Sequence, residues 1–336
     1  MAEIVAGFGS SHSLILVMEP DDWVARAKFD RSVSHPYRGK EYTFDELKAI
    51  RTDKDYETLC GDAQRQIHHD RNQAAIAKLG DTIRDVNPDV LVVIGDDQDE
   101  WYSAALQPAI TIFHGDGILN SAYDPRDHEH KHPSIQMVES MRHTPEDTLY
   151  PVASDLAEHM ITTAGANDFE VTSSTDMPHD KNGKPIGIGH AYTFIYRRVL
   201  RDQPISMVPI LVNTYYPPNQ PSPRRCFEFG RTLGKAIRSW DSDQRVALLG
   251  SGGLSHFVID EDWDHRMLEA MRTGDYQVLV DEPDIIYRSG TSEVKNWLIM
   301  LGAIADCDFE MELIDYVPCY RSEAGTGTAM GFAAWR

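Results

Sequence analysis

The chain has 336 residues, 41% of them hydrophobic, with 32 basic against 53 acidic residues and a formal net charge of −21. That is enough chain for one large α/β domain or two small ones with a sizeable core. The charge argues against nucleic acid and anionic membrane as partners, because both require a basic footprint. The four cysteines, Cys60, Cys226, Cys307 and Cys319, lack CxxC or zinc-like spacing and read as reduced thiols. The first residues lack the basic-then-apolar pattern of a signal peptide, and no apolar run is long enough to span a bilayer, so a cytoplasmic location is expected.

In chain order, residues 3–9 read as a first strand, after which Ser10-Ser11-His12-Ser13 presents a histidine. Residues 21–51 are polar and rich in turn formers, with His35-Pro36-Tyr37-Arg38-Gly39-Lys40 as a loop. Thr43 with Glu46 three positions on predicts a capping box at a helix start. Residues 55–86 have helical spacing, closed by Pro88. Residues 89–95 are apolar throughout, as a strand covered on both faces would be. They deliver Asp96-Asp97-Gln98-Asp99-Glu100-Trp101 to the sheet edge. A strand over 109–113 precedes the histidine-rich loop 127–132, which reads as a solvated lid. A helix over 150–164, a short strand over 169–172, a loop from Met177 to Gly189 ending at His190, and a strand over 207–213 follow. Tyr215 and Tyr216 come next, before Pro217-Pro218, as candidate walls of an aromatic pocket. A helix over 224–239 leads to the strand 245–250 and to Gly250-Ser251-Gly252-Gly253-Leu254-Ser255-His256. Behind it, Asp260-Glu261-Asp262-Trp263-Asp264 opens a helix. Ser289 to Glu293 predicts the cap of a helix over 294–303, and a glycine-rich tail closes the chain. Strands alternate with helices without a linker or repeat, which predicts a single αβα-sandwich domain over 1–336.

His12, the acidic group around Gln98, His190, His256 and Glu261 or Asp262 each follow a strand or glycine turn. Sites in open α/β sheets lie at the carboxyl ends of strands, and glycine permits close backbone approach to a ligand. Imidazole with carboxylate suits a divalent first-row metal, and two histidines with one carboxylate is the non-haem Fe(II) arrangement. Each histidine taken singly is more often structural than a ligand.

The pieces Gly9-Ser10-Ser11-His12, Pro88 to Asp97, Gly189-His190, Asn213-Thr-Tyr-Tyr-Pro-Pro, Gly250 to His256 and Trp263-Asp264 occur in an order that resembles the class III extradiol ring-cleavage dioxygenases. Tyr37-Arg38-Gly39-Lys40, Gly95-Asp-Asp-Gln98 and Ser289-Gly-Thr-Ser-Glu293 resemble the branch that includes 3-O-methylgallate dioxygenase. The resemblance implies an αβα fold and an Fe(II) enzyme that opens a catechol- or gallate-like aromatic ring with O2. It implies His12 as a metal ligand, and Gln98 and Asp262, with Glu261 beside it, at the two other ligand positions. There the family carries His and Glu. It further implies His190 as the catalytic acid/base and Ser255 and His256 as substrate-contacting or ligand-supporting groups. Because two ligand positions depart from the pattern, a metal-dependent non-oxidative hydrolase or lyase on the same scaffold is the alternative. A homo-oligomer, most simply a homodimer, is expected.

Overall fold

A computed structural model of the chain describes residues 1–129, 133–180 and 183–336. Its central mixed sheet contains β1 (Glu3–Ser10), β2 (Val90–Asp96), β3 (Ile110–Phe113), β4 (Thr172–Ser174), β5 (Ser206–Val212), β6 (Arg245–Ser251), β7 (His256–Val258), β8 (Met311–Tyr320) and β9 (Thr326–Trp335). The spatial order is β7-β9-β1-β6-β2-β5-β3-β4, with β8 paired along the opposite edge of β9. The central strands β1, β6, β2 and β5 are mutually parallel, whereas β9 runs antiparallel to β1, β7 and β8.

Helices cover both faces, so the parallel strands are apolar on both sides. Val90, Val92 and Ile94 of β2 and Val246 and Leu248 of β6 face one core. That core is closed by the helices Pro223–Ser239 and Val294–Ile304. The intervening Leu91, Val93, Ala247 and Leu249 face a second core, closed by Asp62–Val86 and the turns after His190. This period-two alternation is what the strand pleat dictates. The helices Pro223–Ser239 and Val294–Ile304 approach unusually closely. A Cβ on Gly230 would lie 2.0 Å from the Ile299 carbonyl oxygen, and one on Gly302 would lie 2.1 Å from that of Phe227. The αβα sandwich expected from the sequence is therefore the fold.

Local details follow the residues. Thr43 and Glu46 form the reciprocal capping box. The long helix begins at Asp62 rather than at residue 55, because Asp55 caps a separate short turn, Tyr56–Leu59. It ends at Asn87 in the left-handed region (φ 50°), directly before Pro88. The segment read as a loop around Arg38 is a tight hairpin, His35–Tyr37 with Lys40–Tyr42, turned by Arg38 (φ 47°) and Gly39 (φ 77°). The glycine-rich tail is not a loop but β9, buried along its whole length between neighbours. Its glycines and alanines lack the β-branched signature of a strand, yet they are what fits. A Cβ on Gly327 would lie 2.3 Å from the Cys319 carbonyl oxygen. His130, Lys131 and His132 of the histidine-rich tract lie outside the described residues. No helix among the described residues is long and apolar enough to cross a membrane.

The helix Glu261–Thr273 is pinned from inside. Asp264 is fully buried and accepts hydrogen bonds from the Ser255 amide (2.8 Å), the Ser255 hydroxyl (2.6 Å) and the Tyr316 hydroxyl (2.7 Å). Each buried donor left without an acceptor costs about 1–3 kcal/mol. Asp264→Ala is accordingly expected to destabilise the fold by about 3 kcal/mol or more, read by urea unfolding. A change below about 0.5 kcal/mol would show that this carboxylate is not the anchor.

Candidate metal centre

The carboxyl ends of three adjacent parallel strands build the site. Ser10 of β1 stands in register with Ser251 of β6, and His12 follows two residues beyond Ser10. Asp96 is the last residue of the adjoining β2. A fourth group arrives from the far side of the sheet. The single tight turn Gly290–Glu293, capped by the Ser289 hydroxyl, places Glu293 immediately ahead of the buried helix Val294–Ile304.

The hydrogen bonds fix where the ring protons lie. The Ser251 hydroxyl donates its one proton to the Ala191 carbonyl (2.9 Å), so in its 2.9 Å contact with His12 it must accept from Nδ1–H. His12 Nε2 therefore presents a lone pair. It lies 3.0 Å from His190 Nε2, 3.5 Å from Asp96 and 3.6 Å from Glu293. Burial disfavours its charged form and lowers its pKa to about 3, despite the attraction of Glu293. His190 is anchored by Glu100, whose Oε1 accepts the His190 amide (2.9 Å) and whose Oε2 accepts from Nδ1 (2.6 Å). Burial opposes charge on this ring too, but Glu100 and Asp96 outweigh it and raise the pKa to about 9. His256 donates from Nδ1 to the Leu254 carbonyl (2.9 Å) and turns Nε2 to Glu293 (3.2 Å). Its pKa is raised, burial being outweighed by Glu293. Asp96 is pushed up by burial and by Glu293. Burial also works against ionisation of Glu293, but His256 and His12 hold its pKa down.

His12, Asp96 and His190 bring their ligand atoms within 4.8 Å of one another. Two imidazoles and two carboxylates thus converge in a buried space, each histidine steadied through its other ring nitrogen. That is the support metal-ligating histidines receive, and the donor set suits a first-row divalent ion.

The candidates from sequence divide into two groups. His12, Gln98, His190 and His256 line one cavity of about 150 Å³, smaller than the roughly 300–1,000 Å³ of drug-sized sites and suited to one small ring. Gln98 donates from Nε2 to both Asp96 and Glu293 (3.2 Å each), bridging the acids rather than offering an oxygen. Asp262 and Glu261 do not join them. Residues two apart on a helix point about 200° apart, so with Asp264 turned inward Asp262 points out. Its side chain is 92% exposed and, among the described residues, pairs only with Arg38, at 3.2 Å. Glu261 is held by Lys54 (2.6 Å) and Tyr320 (2.5 Å). The carboxylate at the cluster is instead Glu293, whose sequence signal was an acidic residue opening an otherwise apolar helix. Ser255 serves Asp264 and accepts the Asp260 amide, away from the histidines. Tyr215 and Tyr216 stack edge-on, 5.2 Å between centroids, and neither lines the His12 cavity.

Arg26, unremarked in the sequence, does line it. The guanidinium is half-buried, its pKa lowered by burial and by neighbouring Arg321. Asp30, the acid between them, is already held by Arg321 at 2.6 and 3.0 Å.

His12 and Asp96 at the ends of parallel strands, with His190 and Glu293 at two helix starts, converge two imidazoles and two carboxylates at a small cavity of an αβα sheet, a donor set of the metal-binding type. The family whose profile matches residues 57–327 is described as the catalytic LigB subunit of aromatic ring-opening dioxygenase, and the chain belongs to it. It is 28% identical over 164 residues to a gallate dioxygenase of Pseudomonas putida, covering 45% of each chain. It is 27% identical over 180 residues to a 2,3-dihydroxyphenylpropionate/2,3-dihydroxicinnamic acid 1,2-dioxygenase of Photorhabdus laumondii, covering 53% of this chain and 46% of that one. The match thus spans less than half the length of either relative.

The proton chain is open to direct observation. In metal-free protein, nitrogen-15 NMR is expected to place the His12 ring proton on Nδ1, with Ser251→Ala releasing that preference. A His12 ring protonated on Nε2 in the wild type would show that the lone pair does not face the cluster.

Proposed function

We propose that the protein is a ring-cleavage dioxygenase that opens a small vicinal-diol aromatic acid with O2, using divalent iron held by His12, Asp96 and Glu293. The observation that supports this most is the meeting of these donors with His190 in one buried cavity, in a member of this family. Bound iron would supply open coordination positions and a path by which electrons pass from the closed-shell diol ring to O2. The chain's own residues do the rest. Gln98 and Asn296 donate to the carboxylates and fix their spacing. The His256 ring and the Gly253 amide (2.8 Å) orient Glu293. Leu14, Ile15 and Phe257 form the apolar lining that limits water around the ring.

His190 is the proton carrier. Its Nδ1–H is committed to Glu100, so only Nε2 exchanges protons with a diol, and it does so from inside the cavity. Losing a positioned acid/base costs about a hundredfold to ten-thousandfold in rate. His190→Phe is expected to retain iron while oxygen uptake with catecholic acids falls at least about a hundredfold. In the same preparations Glu293→Gln should lose iron and Asp262→Asn should keep it. Iron loss from His190→Phe would make His190 a ligand, and iron loss from Asp262→Asn with retention in Glu293→Gln would overturn the ligand set.

Arg26 gives the cavity its substrate charge. Within a chain of net charge −21, a guanidinium beside the ring position favours a ring that carries a carboxylate. A hydrogen bond to a charged group contributes about 1.5–3 kcal/mol. Arg26→Gln should therefore raise KM for a carboxylated catechol by about tenfold to a hundredfold while leaving that for catechol itself within about twofold. Equal effects on both substrates would remove Arg26 from substrate recognition.

A further inference from the structure

Tyr215 and Phe257 meet with ring centroids 6.5 Å apart. Phe257 lines the His12 cavity, whereas Tyr215 lines a second one of about 630 Å³ that shares no lining residue with the first. The second cavity is bordered by Tyr215, Ser222, Asp284, Tyr287, Arg288 and Lys295.

Lys295 is the unusual member. It is only 4% exposed, although lysine is almost never fully buried unless paired. Its ammonium has three donors. One makes a long 3.4 Å bond to the Thr214 carbonyl, and the charge lies 5.6 Å from the Tyr287 ring centroid. Among the described residues no carboxylate comes within 4.0 Å of it. Beside it the Thr214 hydroxyl is buried without a partner. Arg288, exposed at the rim, likewise has no carboxylate within 4.0 Å among the described residues. Burial lowers the Lys295 pKa and outweighs the opposing fields of Cys226 and Asp284; Asp284 borders the cavity but closes no ion pair with either cation.

The contrast with the other large cavity is informative. There, Arg38 and Arg266 also border open space, yet each is held at 2.6 Å by an acid, Asp260 and Glu282 respectively. A buried ammonium without a counter-charge is expensive by several kcal/mol, and an anion in the cavity would remove that cost.

We propose that this second cavity binds a small aromatic acid as a separate ligand, its carboxylate on Lys295 and Arg288 and its ring against the exposed Tyr215. A flat anion fits the lining better than inorganic ions, because the exposed Tyr215 ring offers stacking area next to the cations. The inference rests on the cavity alone and not on ring cleavage.

Benzoate, which has no vicinal diol, is the probe, titrated calorimetrically into the full chain at low salt. Benzoate is expected to bind with a millimolar or tighter Kd, at least about tenfold more tightly than acetate. Lys295→Met and Arg288→Gln should each weaken it at least about tenfold, as loss of a charged hydrogen-bond donor does. Arg288 is exposed, so its variant folds even if the lysine variant does not. Three results would overturn the proposal: no benzoate binding up to about 50 mM, acetate binding as tightly as benzoate, or Arg288→Gln binding unchanged. Benzoate binding that is lost in Arg26→Gln but intact in Arg288→Gln would place it in the His12 cavity and also overturn the proposal.

Discussion

Concentrated buried charge is the constraint on which the rest of this structure depends. Asp96 and Glu293 both approach His12 Nε2, at 3.5 and 3.6 Å, with Glu100 and Asp97 close by. Taking a carboxylate out of water costs several kcal/mol even after relaxation, and like charges add to it. Each acid here is met by donors aimed from the backbone or from amides. The Gly253 amide serves Glu293, the His190 amide serves Glu100, and the Trp101 amide serves Asp97 at 2.8 Å. Asp97 still has its pKa raised to about 6, because burial outweighs those bonds. An arrangement so dependent on exact donor placement tolerates little variation in the strand ends that carry it. It gains most from a cation at its centre.

The parallel strands and their covering helices were legible because they obey simple periodicities. Residues 89–95 are apolar without interruption, and a strand buried on both faces has no other way to look. That His12, Gln98, His190 and His256 would come together at one cavity was legible because each stands just beyond such a strand or a glycine turn. The open ends of strands are where a sheet can expose chemistry.

What remained hidden was hidden for physical reasons. The choice between Asp262 and Glu293 depends on the direction in which a helix starts. Asp260 caps the helix through the Trp263 amide, and that decides that Asp264 turns in and Asp262 out. No local pattern around Trp263 encodes it. Glu293 looked like part of a cap because it is one in sequence, and only the crossing of its helix beneath β6 brings it to His12. The glycine-rich tail failed as a strand for the opposite reason. Its small residues answer to neighbours that are distant in sequence, such as Leu254 and Trp297 against Gly331.

The close contact between helices Pro223–Ser239 and Val294–Ile304 bears on how the site can change over time. Glu293 is joined directly to the second helix, and that helix lies against the first with backbone nearly touching backbone at Gly230 and Gly302. A seam this tight has no slack for sliding. The carboxylate is in effect mounted on a fixed rail, while His12 and Asp96 are mounted on the sheet. Sequence drift in the loops around the cavity can therefore alter which rings enter without moving the chemistry. A single added methyl group in the seam, far from any ligand, would shift the mount itself.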